Sequence, residues 1–502
     1  MVEAGPEIFS RLPQPDVLQR ARSIFARSAA IALIGTSAFF SKNARIVAAS
    51  PIDFSTDTRA TYYEPHEMDH GTQLDSHVSP DTYSRVMVCF DAETSDIEKE
   101  RSEFVADMNS HLQYDEDSSQ QTMQDVNFDT DPLLHIPCTT AVVTEQGYSL
   151  LESNPATTSL AHDIEIDVAD SDRTELSGDL AHYVGSTYAE GHGITGKGQR
   201  VGVIGTGVYY QSPYNSYRQA LEIRSGCVGT NYVQDSLFSG CPGGVDRVIG
   251  DYAGKIFSRD LVSAGHEDGV SQLVHAVAPD AHIVPFALNT IKRQPDGDQL
   301  VLFGSDVVRA IDEAIELDVD SVVISLAVSG PAPDNCSNYY PPFNEAQARA
   351  NAVDMPLFIS TGNSSVVSWP ACVRQPGVYP ITTVDYTSTI PYFAGYQDSR
   401  VLAARGEDAL IINLYGNKQL TSGTSYAAPV AAALYSLWKS TNLSYSSQET
   451  MNLMRRYAGI ARAQNGDNVP NLNVENVLRQ PHIARRLGFY FTALLPHLVQ
   501  QP

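Results

Sequence analysis

The chain has 502 residues, 42% of them hydrophobic, enough for a large buried core and for more than one domain. With 33 Lys and Arg against 59 Asp and Glu, its formal net charge of −26 disfavours nucleic acid and anionic lipid as partners. None of its six cysteines lies in a Cys-x-x-Cys pair, which argues against structural zinc and for disulfides made in an oxidising compartment.

Arg20, Arg22 and Arg27 precede an apolar run over 28–40, and Val47-Ala48-Ala49 offers small residues for cleavage. Residues 1–50 therefore read as a signal peptide or leader and predict secretion. The run is short for a bilayer span; the alternative is an uncleaved leader that anchors the chain to a membrane. No other segment reads as transmembrane, so no membrane span is expected in the mature form. Residues 51–80, rich in Asp, His, Thr and Pro, read as a flexible lead-in.

A small α+β domain is expected over 81–170. Residues 85–90 read as a strand, and 98–112 as a helix with Phe104, Val105, Met108 and Leu112 at helical spacing. Acidic residues 114–131 read as a loop, 135–143 as a strand, 144–154 as a short helix and 159–168 as a last strand. A polar linker over 171–190 follows. From 191 to 478 strands alternate with helices: strands over 201–204, 281–288, 321–328, 358–361 and 378–384, helices over 306–317 and 425–440. Such alternation predicts an α/β domain, an open, mostly parallel sheet with helices on both faces. A helical tail over 479–502 closes the chain. The cysteine spacing favours Cys227–Cys241 and Cys336–Cys372, leaving Cys89–Cys138; six reduced thiols are the alternative.

The most informative string is Ser422-Gly423-Thr424-Ser425-Tyr426-Ala427-Ala428-Pro429, ahead of an apolar, alanine-rich run. A serine that opens a helix has free backbone N–H groups and the positive helix end beside it, which suits a nucleophile with an oxyanion donor. Pro429 is expected in or near the first turn, where its missing N–H costs least. The string resembles the Gly-Thr-Ser-x-Ala-x-Pro signature of the subtilisin-like serine peptidases. Three further segments resemble that family in the same order. Gly265-His266 precedes an apolar helical run ending in Ala278-Pro279-Asp280-Ala281, and the resemblance makes His266 the general base. Glu267-Asp268 departs from the family's Gly-Thr at those places. His275 and His282 read as core or surface residues. Thr361-Gly362-Asn363-Ser364 resembles the segment whose asparagine donates to the oxyanion. Asn363-Ser364-Ser365 is also a glycosylation sequon, discounted because a glycan would block that site. Ser325-Leu326-Ala327 resembles the strand that pairs with extended substrate, with Gly362 also lining the groove.

The fourth segment, Gly198 to Val208, resembles the strand that normally ends Asp-Thr/Ser-Gly-Val, but Gly205 stands where the triad aspartate belongs. That aspartate orients the histidine and stabilises the imidazolium. Its loss predicts weak or rearranged catalysis, unless Asp268, Asp251 or Glu267 substitutes for it; Asp268 is expected to point away from the imidazole. A dinucleotide reading of Gly205-Thr206-Gly207 fails because the third glycine position holds Tyr210.

The resemblance implies a three-layer α/β/α peptidase domain acting on polypeptide substrates. It also implies that the 81–170 domain is a propeptide and the enzyme's own intramolecular inhibitor. Segment 143–155, with Gly147-Tyr148 and Asn154-Pro155, is similar to the second helix of such propeptides. The family often binds calcium, but no acidic cluster in this sequence assigns a site, and no cofactor or metal is expected. Self-processing should leave a mature protein beginning between Asp172 and Tyr188. The second function is a catalytically inactive homologue that keeps the groove as a peptide-binding or regulatory protein.

Overall fold

A computed structural model describes residues 84–92, 96–111, 126–128, 133–168, 171–172, 180–208, 217–222, 238–240, 261–288, 290–292, 299–328, 335–413, 416–441 and 444–487. The leader, the lead-in, the Cys227–Cys241 pair, Asp251 and the tail beyond residue 487 lie outside the described residues.

In the first strand, β1 (Ser84–Phe90), successive side chains serve two cores. Val86, Val88 and Phe90 pack with Phe104 and Met108 of helix α1 (Ile97–His111), while Met87 and Cys89 face the remainder of the protein. This is the period-2 division of a strand buried on both sides. A short strand, β2 (Val126–Phe128), forms within the acidic stretch read as loop. Then come β3 (Cys138–Val143), α2 (Glu145–Ser153) and β4 (Thr157–His162), giving a four-stranded sheet in the order β2-β3-β1-β4. Thr144 caps α2, accepting from the Gly147 N–H at 3.1 Å, and so fixes the helix start seen in the sequence. Cys89 and Cys138 are ladder partners on β1 and β3 and are bonded; Cys336–Cys372 is bonded as well.

The strand expected over 159–168 is two strands. After β4 the chain turns at Asp163, and β5 (Glu165–Val168) leaves the small sheet altogether. It runs antiparallel between β9 and β11 of the large domain, described below. The turn has a cause in side-chain chemistry. Asp163 accepts from Ser305 N at 2.9 Å, from the Ser305 hydroxyl and from Tyr340 OH at 3.0 Å, and pairs with Arg85 Nε at 2.8 Å. A two-residue strand, β6 (Ser171–Asp172), follows.

The large domain begins its sheet with β7 (Arg200–Gly205), followed by α3 (Leu261–Val277), β8 (His282–Ala287), β9 (Gln299–Phe303) and α4 (Gly304–Glu316). The expected strand 321–328 breaks at Ser325 into β10 (Ser321–Ile324) and β11 (Leu326–Ala327). Next come α5 (Pro341–Ala352), β12 (Leu357–Ser360), β13 (Val378–Val384) and β14 (Leu402–Arg405). The chain continues with β15 (Lys418–Ser422), α6 (Thr424–Lys439), β16 (Gly459–Arg462) and β17 (Asn468–Asn471). Eight strands form one sheet in the order β16-β17-β14-β13-β12-β10-β7-β8, parallel throughout except for the β16–β17 hairpin.

Val322, Ile324, Leu357 and Ile359 share a buried cluster with α4 and α5. Val323, Phe358 and Ile381 share the opposite cluster with α3 and α6. Two cores separated by one sheet make a three-layer α/β/α domain. Helix α5 also packs on β1 and β4, so the small domain docks on the α4–α5 side.

A buried polar cluster joins the two domains. Arg85 Nη2 donates to Ser305 Oγ at 2.5 Å and Asp306 Oδ1 at 2.9 Å, and all three charged side chains of Arg85, Asp163 and Asp306 are at most 2% exposed. Burial pushes the Asp163 carboxyl above its usual range, against the pull of Arg85. Asp312 on α4 accepts from Leu134 N at 2.7 Å and His135 N at 2.6 Å, a second clamp on the small domain. Removing one partner of a buried ion pair costs about 3–5 kcal/mol. Arg85→Ala should therefore lower the stability of the full-length chain in urea by that order. A loss under about 1 kcal/mol, the range of an exposed pair, would contradict this arrangement.

Candidate active site

Helix α6 starts at Thr424, so Ser425 is its second residue, in the turn that forms the positive end of the helix. Pro429 lies deeper than the first turn. Four residues after Ser425, it cannot supply the N–H that the Ser425 carbonyl would normally accept. Ser325 fills that vacancy: its hydroxyl donates to Ser425 O at 2.7 Å. The exchange is mutual, since Ser425 Oγ donates to Ser325 O at 3.2 Å. Ser325, at the break between β10 and β11, thus holds the serine from both ends.

His266 sits on α3, 1% exposed, with its ring centroid 5.4 Å from that of Tyr426, the residue after the serine. Asn363, in the loop after β12, accepts through Oδ1 from Thr424 N at 3.1 Å and Thr424 Oγ1 at 3.0 Å. Those bonds set the amide orientation, so Nδ2 is the donor end turned from Thr424. Gly362 N donates to Thr424 Oγ1 at 3.0 Å, so the oxyanion loop and the start of α6 are stitched together. Gly362 itself has φ +90°, a conformation that favours glycine, and a Cβ there would lie 2.7 Å from Ser368 Oγ. His266, Asn363 and Ser425, far apart in sequence, converge on residues 424–426.

Gly205 closes β7 beside His266, and the space left by its missing side chain is filled. The Glu267 side chain folds back along its own helix, and Oε2 accepts from His266 Nδ1 at 2.9 Å. Thr206 Oγ1 donates to the same oxygen at 2.8 Å. Glu267 is wholly buried. A Cβ on residue 205 would come within 1.9 Å of Glu267 Oε1 and 2.1 Å of its carboxyl carbon. Neighbouring residues on a helix point about 100° apart and do not normally meet. Here the longer glutamate arm and the absent Cβ at 205 together close that angle. Asp268 turns away from the imidazole, as expected, and accepts from Tyr217 OH. Asp251 lies outside the described residues.

The other histidines stay apart from this group. His275 is partly buried near the end of α3, and burial holds its imidazole below the usual range. His282 is exposed. Among the described residues no group of three His, Cys, Asp or Glu side chains is placed to hold a metal ion, and no helix is long and apolar enough to cross a membrane.

A serine hydroxyl, a buried imidazole, a carboxylate on the imidazole's Nδ1 and an amide donor are the parts of an acyl-transfer site. Residues 253–489 match the Subtilase family, Peptidase_S8. That segment, somewhat under half of the chain, is similar to the subtilases, a family of subtilisin-like serine peptidases. Among solved structures, the prenylagaramide maturation protease PagA is similar at 17% identity, covering 59% of this chain and 98% of its own, with a TM-score of 0.42. No curated protein matches this chain. The sequence named Ser425, His266 and Asn363, which the structure brings together, but not the hydrogen bonds of Thr424 and Thr206 around them. The signal for Glu267 was nonetheless present: an acid immediately after the histidine, in a chain with a glycine at the aspartate position.

Gly205→Ala puts a methyl group into the Glu267 carboxylate. The variant should lose at least tenfold in kcat on a peptide ester through displacement of that carboxylate, with overpacking costing about 1–3 kcal/mol of stability. An unchanged kcat would show that the carboxylate contact is dispensable.

Proposed function

We propose that the protein is a secreted serine endopeptidase, competent in catalysis, whose triad acid is Glu267 rather than a residue on β7. The observation that carries this reading is the 2.9 Å contact of Glu267 Oε2 with His266 Nδ1, reinforced by Thr206. A carboxylate there holds the imidazole in the tautomer with its proton on Nδ1, leaving Nε2 as the atom that takes the Ser425 proton once that hydroxyl turns from the Ser325 carbonyl it donates to here. As Ser425 Oγ attacks a substrate carbonyl carbon, His266 takes the hydroxyl proton and becomes imidazolium beside the Glu267 charge. The Ser425 N–H and Asn363 Nδ2 donate to the oxyanion. His266 then protonates the leaving amine, and water hydrolyses the acyl-enzyme. The buried setting of all three side chains raises the worth of each charge contact over its worth in water.

Export is supported by the two disulfides, the acidic surface and the leader composition. In this reading residues 84–168 are the propeptide. The buried Arg85–Asp163–Asp306 cluster is its anchor and β5 its inhibitory strand.

Purified wild type should be labelled at Ser425 by a fluorophosphonate probe. Glu267→Gln should lose roughly 10⁴-fold in kcat with little change in KM, the loss typical of a triad acid. No labelling of wild type would favour a peptide-binding protein instead. Equal rates for wild type and Glu267→Gln would remove Glu267 from the mechanism.

A further inference from the structure

We infer that the large domain carries a second ligand site, a cavity at the starts of β13 and β14 that binds a small organic phosphate, a dianionic monoester. Helix α7 (Ser447–Arg456) forms its third wall. The cavity is open to solvent and holds about 460 Å³, within the roughly 300–1,000 Å³ of ordinary small-molecule sites. His266, Asn363 and Ser425 do not line it, so it stands apart from the acyl-transfer group and binding there does not require catalysis.

The charge around this cavity runs against that of the chain. In a protein of net charge −26, Arg374, Arg400 and Arg455 line it from three segments, and among the described residues no Asp or Glu does. The carboxylate that serves all three is Asp398. It accepts from Arg400 Nη2 at 2.8 Å and lies 3.5 Å from Arg374 Nε. Three guanidinium groups against one carboxylate leave two positive charges over. Asp354, which acts on Tyr379, is occupied elsewhere: it accepts from Ser447 N at 2.8 Å and pairs with Lys439 at 3.7 Å. The cationic frame is fixed in advance. Arg400 Nη1 donates to Val373 O at 2.7 Å, and Arg455 donates to Ser399 O at 3.0 Å and to Arg400 O. Burial pushes the Arg455 guanidinium below its ordinary range, and a bound anion would offset that lost hydration. Arg374 is 74% exposed, and its Nη groups have no partner among the described residues, so its fork is free to close on a phosphate.

Tyr379 supplies an independent sign of a ligand. It lines the cavity, is only 8% exposed, and its hydroxyl has no hydrogen-bond partner among the described residues. A buried hydroxyl left unpaired is costly, so a partner is wanted there. Burial pushes the phenol up to about 12, so it stays protonated and can donate to an anion. Leu402 and Met451 share a buried apolar cluster with Tyr379 and line the same cavity. Two excess charges call for a dianion. The volume beyond one phosphate group and the apolar side chains call for an organic body attached to it.

The test is titration calorimetry of the purified full-length protein with phenyl phosphate, inorganic phosphate and benzoate, above the second phosphate ionisation near pH ~6. Phenyl phosphate should bind with one-to-one stoichiometry, more tightly than inorganic phosphate and more tightly than benzoate, and equally well in Ser425→Ala. Tyr379→Phe should weaken it about tenfold, and Arg374→Gln, at an exposed position that leaves the fold intact, about threefold. No saturable binding of phenyl phosphate, or binding unchanged in both variants, would overturn the site. Loss of binding in Ser425→Ala would put the probe at the acyl-transfer group and overturn it as well. Inorganic phosphate binding as tightly as phenyl phosphate would overturn the ester in favour of the free ion, and benzoate binding as tightly would overturn the requirement for a dianion.

Discussion

One carboxylate organises the centre of this structure. Glu267 reaches back from the residue after the histidine and places an oxygen 2.9 Å from His266 Nδ1, in a volume that only a glycine at 205 leaves open. The two residues form a reciprocal pair. A side chain on β7 would exclude the glutamate, and a glycine on β7 without the glutamate would leave a void beside a buried imidazole. A buried ion or hydrogen-bonded carboxylate is costly unless it is partnered. Here His266 and Thr206 both donate to Oε2.

The same economy of position appears around the nucleophile. Pro429 removes one helical hydrogen bond from α6, and the freed Ser425 carbonyl is taken up by Ser325. That contact ties the first turn of α6 to the break between β10 and β11, the edge on which an extended chain can pair. Thr424 ties the same turn to the Asn363 loop. Two segments about 40 residues apart in sequence are thereby held to one short stretch of helix. Arg85, Asp163 and Asp306 tie the four-stranded sheet to α4, and the turn at Asp163 redirects the chain from one sheet into the other.

Much of this was legible in the sequence, for physical reasons. Short, continuously buried runs in 85–90, 321–324 and 357–360 and the long apolar helix after Ser425 are local patterns, and the elements formed where those patterns lie. The division of 159–168 into two strands was not legible, because it follows from Asp163 meeting Ser305, a residue 142 positions away. Strand β2 was hidden in an acidic stretch whose composition reads as loop; its place at the edge of a sheet against β3 overrides that composition. Glu267 was visible only as a candidate, since helical geometry puts adjacent side chains apart and the void at Gly205 that changes this is a tertiary feature.

The most direct measurement is an exchange of acids. Gly205→Asp combined with Glu267→Ala returns the carboxylate to β7 and removes the glutamate it would strike. If the two positions share one role, the double variant should recover kcat/KM on a peptide ester by at least 100-fold over Glu267→Ala alone, while Gly205→Asp alone should fall below wild type. A single Gly205→Asp variant that gains activity, with Glu267→Ala harmless in either background, would contradict the account.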